Sequence, residues 1–476
     1  MRFQVFKNTV LLFVLVLISC GNTTKKEDNK QKTRDDKQEM ADDRQKTEDE
    51  RTENKEQRAK IEDDRPMPED PKTKNQKPKT INQKPSTINQ QPSTNNQKPS
   101  TNNQQPTTIT VGANQTQAYI PLLKNKRVGI VANPTSIIFK KDGKNYTHVV
   151  DSLWALKVKI SKVFSPEHGF RGDADAGELV NDSKDAKTGL PIVSLHGDHK
   201  KPKSEDLSNV DVMIFDIQDV GVRFYTYIST LHYVMEACAE AKIPLIILDR
   251  PNPNGSYVDG PTLEIQNQSF LGMHPIPLVH GMTIGEYANM INGQKWLKNG
   301  VQCQITVIPI KNYNHNMPYS LPIRPSPNLP NDQSIRLYPS LGLFEGTDIN
   351  AGRGTEFQFQ RYGAPFLNKS VFPFTYTPVE NFGAKNPKHK GKLCYGEDLK
   401  NEKAPQQVSL KWLIKAYTNA TDKSKVFNTA NFTKHAGTAK LQKQIEAGLT
   451  EEQIKATWQK DLETFKNTRK KYLIYN

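Results

Sequence analysis

Between Ser165 and Glu178 the chain reads Ser-Pro-Glu-His-Gly-Phe-Arg-Gly-Asp-Ala-Asp-Ala-Gly-Glu. A carboxylate (Glu167), an imidazole (His168) and a guanidinium (Arg171) fall within five positions, interleaved with Gly169 and Gly172. Such a set can deliver a proton, assist its transfer and hold an anion. Glycines let the backbone turn tightly and come close to a ligand. A carboxyl group that closes an apolar strand is partly desolvated, which favours the protonated form a general acid needs. Glu167 is therefore the leading catalytic candidate. The competing uses of the same carboxylate are capping of the next helix or pairing with Arg171.

The elements that must position this set are strands. The apolar run Val158 to Phe164, broken by Lys159 and Lys162, predicts one that ends at Glu167. The pattern recurs. Arg127 to Ala132 runs into Asn133-Pro134-Thr135-Ser136, and Pro191 to Leu195 runs into His196. Val210 to Phe215 ends in Asp216, Gln218 and Asp219, and Pro244 to Leu248 in Asp249, Arg250 and Asn252. Apolar strands separated by helical stretches such as Tyr227 to Ala241 predict an α/β fold whose parallel sheet is covered on both faces, a Rossmann-like layout. Ligands bind such sheets beyond the carboxyl ends of the strands, so Asn133, Glu167, His196, Asp216, Gln218 and Asp249 are expected to share one crevice. The first strand leads into Asn-Pro-Thr-Ser and not into GxGxxG, which argues against a dinucleotide. No cofactor is expected.

The proline-rich crossing Pro318 to Pro330 predicts a boundary between a Rossmann-like catalytic domain, residues 116–325, and a smaller α+β C-terminal domain, residues 326–476, which completes the cleft. The second domain opens on a segment dense in glycine and charge that carries Glu345, Arg353 and Glu356. Its helices, near 410–418, 440–447 and 451–472, carry an apolar stripe suited to a core.

Ahead of both domains, residues 1–20 carry Arg2, Lys7 and the apolar run Val10 to Ile18, a secretory signal too short to span a bilayer. Leu17-Ile18-Ser19-Cys20 resembles the lipobox of bacterial lipoproteins, with Cys20 as the lipidated residue. Each buried methylene of an acyl chain adds ~0.8 kcal/mol of membrane affinity. The expectation is an exported protein anchored to a membrane by lipid. Residues 21–115 are expected to form a disordered tether, first a mixture of Lys, Arg, Asp and Glu, then a seven-residue repeat that begins Asn-Gln-Lys-Pro-Lys-Thr-Ile at Asn75. Cys238, Cys303 and Cys394 have no metal or disulfide spacing, and no metal site is expected. The net charge of +15 is dispersed and accompanies no nucleic-acid motif, so nucleic acid is not an expected partner. Anionic wall polymers or lipids are. Nothing in the sequence fixes an oligomeric state.

Five motifs, taken in order, resemble those of the NamZ-type exo-β-N-acetylmuramidases: Val-Gly-Ile-Val-Ala-Asn133-Pro134-Thr135; Ser-Pro-Glu167-His168-Gly169-Phe-Arg171-Gly; Asp216-Ile-Gln218-Asp219-Val-Gly-Val-Arg223-Phe-Tyr225-Thr-Tyr227; Asp249-Arg250-Pro-Asn252-Pro; and Glu345-Gly-Thr with Gly352-Arg353-Gly354-Thr. The resemblance spans roughly residues 117–476. It implies a Rossmann-like domain, a C-terminal domain, a cleft between them, and removal of terminal N-acetylmuramic acid from the non-reducing end of peptidoglycan fragments. Glycoside cleavage needs a proton donor and usually a second carboxyl group. Glu167 fits the donor, with His168 assisting. For the second group Asp216 comes first and Glu178 next, ahead of Asp219, Glu345 and Glu356; the 2-acetamido group of the sugar is a further candidate nucleophile. The lactyl carboxylate suits a guanidinium, and Arg171, Arg223, Arg250 and Arg353 are the candidates. Tyr225 and Tyr227 offer a stacking face or a hydroxyl, with helix packing as the alternative. Asn133, Gln218, Asp249, Asn252 and Glu356 complete the expected substrate-binding set. The runner-up reading is a peptidoglycan-binding lipoprotein without turnover.

Overall fold

The structure, a computed structural model, describes residues 108–167, 169–171 and 183–475. Cys20, the expected signal peptide, most of the expected tether, His168 and Glu178 lie outside the described residues. Residues 108–115, assigned to the tether by composition, belong to the fold. Thr110 bridges Lys311, and the Gly112 amide donates to the Asp249 carbonyl at 2.9 Å. A Cβ on Gly112 would lie 2.5 Å from the Ile308 carbonyl oxygen, so only glycine lets the chain enter this close to the sheet.

The strands, in chain order, are β1 (Val128–Ala132), β2 (Ile137–Phe139), β3 (Tyr146–His148), β4 (Ile160–Ser165), β5 (Ser183–Lys184), β6 (Pro191–Ser194), β7 (Val212–Asp216), β8 (Leu245–Leu248) and β9 (Ile305–Ile308). All but the β2–β3 hairpin join one sheet in the order β5-β6-β4-β1-β7-β8-β9. Every pairing is parallel except β5 with β6. The chain winds outward through β4 and β6 on one side of β1, then returns to β7, β8 and β9 on the other. A doubly wound sheet opens its crevice where that winding reverses, beyond the carboxyl ends of β1, β4 and β7.

Alternate residues of each strand serve different cores. Val128, Ile130, Val163, Val212 and Ile214 pack with Tyr119, Val149 and Leu153 on one face. Val131, Phe164, Met213 and Phe215 pack on the other, with Ile228 and Leu231 of the helix Tyr227–Ala241 and Tyr287 of the helix Ile284–Gly293. That second core is continuous with the C-terminal half, through Leu337, Phe344, Phe432 and Phe465. The C-terminal half adds an antiparallel sheet of β10 (Arg361–Ala364), β11 (Phe374–Tyr376) and β12 (Cys394–Asp398), in the order β10-β12-β11, and several short helices. Its last residues return to the first half, where Tyr475 donates its hydroxyl to Asp249 Oδ2 at 2.6 Å. The two halves of the sequence therefore share both a core and a tail.

Candidate active site

Glu167 follows β4 by two residues, at the carboxyl edge of the sheet. Thr226, the N-cap of the helix Tyr227–Ala241, donates its hydroxyl to Glu167 Oε2 at 3.2 Å. Tyr227 reaches the Glu167 carbonyl oxygen at 3.5 Å. The carboxylate lines a pocket whose empty space, open mouth included, is about 660 Å³. Phe224, Tyr225, Tyr227, Tyr338 and Phe359 form its aromatic wall. Their rings meet edge to face, Tyr225 and Tyr227 at 4.9 Å between centroids and Tyr338 and Phe359 at 4.8 Å. The Tyr225 hydroxyl donates to the Pro325 carbonyl at 2.6 Å, which fixes the wall to the crossing between the halves.

The C-terminal half supplies the polar side of the pocket with Glu345, Arg353, Asn328 and His435. Glu345 lies in the 3-10 turn Gly342–Gly346. Glycine is needed at both ends of that turn, because a Cβ would come within 2.5 Å of the Phe224 ring at Gly342 and of Phe432 Cα at Gly346. Arg353 Nη1 donates to Glu345 Oε2 at 2.9 Å, and Arg353 Nη2 lies 3.4 Å from the Gly383 carbonyl oxygen. Lys388, half-buried, donates to the carbonyls of Phe344 and Glu345 at 3.0 Å. Burial pushes the Glu345 carboxyl upward, but the charges of Arg353 and Lys388 and the hydrogen bond from Arg353 outweigh it and hold the group below its ordinary value. Glu345 is therefore ionised at neutral pH. His435 Nδ1 lies 2.8 Å from the Asn431 carbonyl, which can only accept, so Nδ1 carries the proton. Burial lowers the basicity of the ring and leaves it neutral, with Nε2 an acceptor.

Models of a two-part family described as Exo-beta-N-acetylmuramidase NamZ match this chain, the N-terminal part over residues 128–333 and the C-terminal part over residues 336–475. The chain belongs to the NamZ family. It is a glycoside hydrolase. The peptidoglycan beta-N-acetylmuramidase NamZ of Bacillus subtilis (strain 168) is 40% identical to it over 376 residues, which cover 75% of this chain and 89% of that protein. Two crystal structures of DUF1343 family proteins from Bacteroides fragilis NCTC 9343 are also similar. One superposes with a TM-score of 0.71 at 45% identity, covering 78% of this chain and 99% of its own. The other gives 0.64 at 28% identity, with 77% and 99% covered.

Within this NamZ-family fold the residues expected at one crevice divide into two groups. Glu167, Tyr225, Tyr227 and Arg353 line the pocket. Asp216, the first choice for the second carboxylate, does not. It ends β7 on the alternation of Val212 and Ile214, facing away from the aromatic wall, and there Arg250 grips it with Nε at 2.6 Å and Nη2 at 3.0 Å. Arg250 also donates to the Ile137 carbonyl at 2.9 Å, so its fork is committed. Arg171 is spent on Asp185, at 3.0 and 2.8 Å, and on Asp151, at 3.0 and 3.3 Å. The Asp185 carboxyl, pushed up by burial but pulled further down by Arg171 and Thr188, settles at about 2. Arg223 is fully buried and donates to the carbonyls of Pro261, Ile276, His435 and Ala436. Burial pushes its pKa down to about 9. It thereby ties the helix that carries His435 to the first half of the chain. Among the described residues, Arg353 alone of the four candidate arginines lines the pocket.

The amides are structural as well. Asn133 Oδ1 accepts from the Thr135 amide at 3.0 Å. Gln218 donates to the carbonyls of Asp219 and Pro251 at 2.8 and 2.7 Å. Asn252 donates to the Met282 carbonyl at 2.9 Å. Asp219 accepts from the Gly221 amide at 2.7 Å, and Glu356 is exposed outside the pocket. His196 follows β6 on the same edge as Glu167, since Ser194 pairs with Ser165, but it does not line the cavity. Thr226, Tyr338, Asn328 and His435 were not singled out as site residues from sequence. Thr226 sits between two residues that were, whereas His435 lies in a short helix with no local signature.

Asp249 accepts from Arg250 N, Gly285 N, Thr283 Oγ1 and Tyr475 Oη, at 3.1, 2.8, 2.7 and 2.6 Å. Burial nevertheless raises its carboxyl to about 6. The folded chain thus keeps this proton to a higher pH than the unfolded chain. The group's contribution to stability is full below pH ~4 and is lost as pH rises through about 6, a change of ~3 kcal/mol for a two-unit shift. Urea unfolding between pH 4 and 7 should show this decline, and Asp249→Asn should remove it.

Proposed function

We propose that the chain is an exo-acting β-N-acetylmuramidase that releases terminal N-acetylmuramic acid from the non-reducing end of peptidoglycan fragments. Glu167 is the general acid, Glu345 the second carboxylate and Arg353 the anchor of the lactyl group. The observation that carries this reading is that one open, aromatic-walled pocket holds Glu167 from the first half of the chain and the Glu345–Arg353 pair from the second. A pocket walled by aromatic rings suits a single terminal sugar better than a long glycan. The B. subtilis relative, named for action on peptidoglycan, supports the same substrate class.

In this mechanism Glu167 gives its proton to the glycosidic oxygen as the bond from C1 breaks. The ionised Glu345 stabilises the positive charge that develops at C1. Water then adds at C1 and gives up its proton to a basic group in the pocket. Arg353 is a pocket-lining guanidinium, a group that can bind the lactyl carboxylate through charge-assisted hydrogen bonds. Thr226 keeps the Glu167 carboxyl turned into the pocket. Export and lipid anchoring through Cys20 belong to the same proposal and rest on the sequence.

Incubation with a disaccharide of N-acetylmuramic acid β-linked to N-acetylglucosamine should release both free sugars, identified by mass. No release, or removal of an acyl group instead, would overturn the reading. Arg353→Ala is expected to raise KM for this disaccharide by about 10- to 100-fold, the size of a lost charge-assisted hydrogen bond. A substrate lacking the lactyl group should be nearly indifferent to the change. Equal losses on both substrates would mean that Arg353 only holds Glu345.

A further inference from the structure

At the end of the sheet opposite the pocket, the chain enters β1 through residues 120–126 and β4 through residues 156–159, and these two segments line a shallow groove. Leu156 lines it and is 56% exposed, and Leu122 and Trp154, on the two helices that lead into it, are 39% and 44% exposed. Exposed large apolar side chains on segments that meet at one groove are a feature of contact faces. Lys124, Lys157 and Lys159 are exposed on the same segments. Among the described residues, no acidic side chain lines the groove. Among the described residues, the nearby Asp211 is already engaged by Arg127, at 2.6 Å. Lys159 also lies close enough to help hold the Asp211 carboxyl down.

The geometry points to this face as a docking surface for an anionic lipid membrane. Exposed tryptophan and leucine on segments that also carry exposed lysines is the composition that lies in a lipid interface: the apolar groups enter the headgroup region and the cations stay among the phosphates. The orientation follows from the fold. The groove precedes β4, Glu167 follows it, and a strand of six residues separates them by about 20 Å. A molecule resting on the groove would present its pocket away from the bilayer, toward glycan. This inference does not depend on the hydrolase reading or on acylation.

The test uses the full chain with Cys20→Ser, so that no acyl chain contributes, compared with the same chain carrying Lys157→Glu and Lys159→Glu. Sedimentation with phosphatidylglycerol–phosphatidylcholine vesicles at low salt should show at least tenfold weaker binding for the charge-reversed chain. Parent binding should fall with added salt and be much weaker to phosphatidylcholine alone. In a Trp154→Phe chain, the fluorescence blue shift on vesicle binding should be reduced, while release of sugar from the soluble disaccharide stays unchanged for all three. Equal binding by parent and charge-reversed chains overturns the proposal. So does binding that discriminates between the two chains on purified anionic wall polymer but not on vesicles, and so does concentration-dependent dimerisation that Leu156→Asp abolishes.

Discussion

Glu167→Gln is expected to lower turnover of the muramic-acid disaccharide by about 10²- to 10⁴-fold, the range that general acid catalysis contributes. The exchange preserves shape. The amide can still accept from Thr226, whose hydroxyl lies 3.2 Å from Oε2, and it can still face the aromatic wall. What it cannot do is protonate the leaving oxygen. The loss should therefore depend on the leaving group. A sugar leaving group needs the proton, whereas a nitrophenolate hardly does, so a nitrophenyl muramide should retain far more of its rate in the variant. Substrate affinity, measured by calorimetry, should stay within a few-fold of the parent. A uniform loss on both substrates, or no loss, would remove Glu167 from the acid role. Glu345→Gln should behave differently, with both substrates slowed alike, because charge at C1 develops whatever leaves.

The strands that deliver Glu167 were legible because their apolar runs are bounded by polar residues, and this marks the edge where the sheet opens. Less legible was which of those polar residues face the pocket. Asp216 and Glu167 both end a strand, but Asp216 shares the alternation of Ile214 and faces the opposite core. Glu167 lies beyond Ser165, in a turn free of that alternation. Asp216 is level with Ser165 across β1, so two residues of turn separate the pocket-lining carboxylate from the structural one. Arginine type was equally ambiguous. All four candidates lie in glycine- or proline-bounded motifs and all four engage carboxylates or carbonyls of their own chain, but among the described residues Arg353 alone does so at the pocket. Such commitments are made across as many as 213 positions, as from Arg223 to Ala436, and no local pattern reveals them. The same holds for the boundary near Pro325. Proline content marked a crossing, but a core that continues through Leu337 and Phe344 makes the two halves one packed body.

The Asp216–Arg250 pair offers the second large effect, and it separates structure from chemistry. Both side chains are almost wholly buried, 0% and 2% exposed, and joined by two hydrogen bonds. Burial pushes the Asp216 carboxyl upward and Arg250 pulls it back. Asp216→Ala would leave a guanidinium in the interior without its carboxylate, its remaining hydrogen-bond acceptor among the described residues being the Ile137 carbonyl. Breaking one side of such a pair costs about 3–5 kcal/mol. Urea unfolding should report that loss, and at a temperature where the variant stays folded its kcat should remain within a few-fold of the parent. Removing both charges should cost much less, because shape-matched apolar groups need neither desolvation nor a partner. Asp216→Leu with Arg250→Met is therefore expected to regain most of the lost stability while sugar release persists. If Asp216 instead served as nucleophile or base, the double variant would be stable and inert. That result would return Asp216 to the reaction and displace Glu345 as its partner.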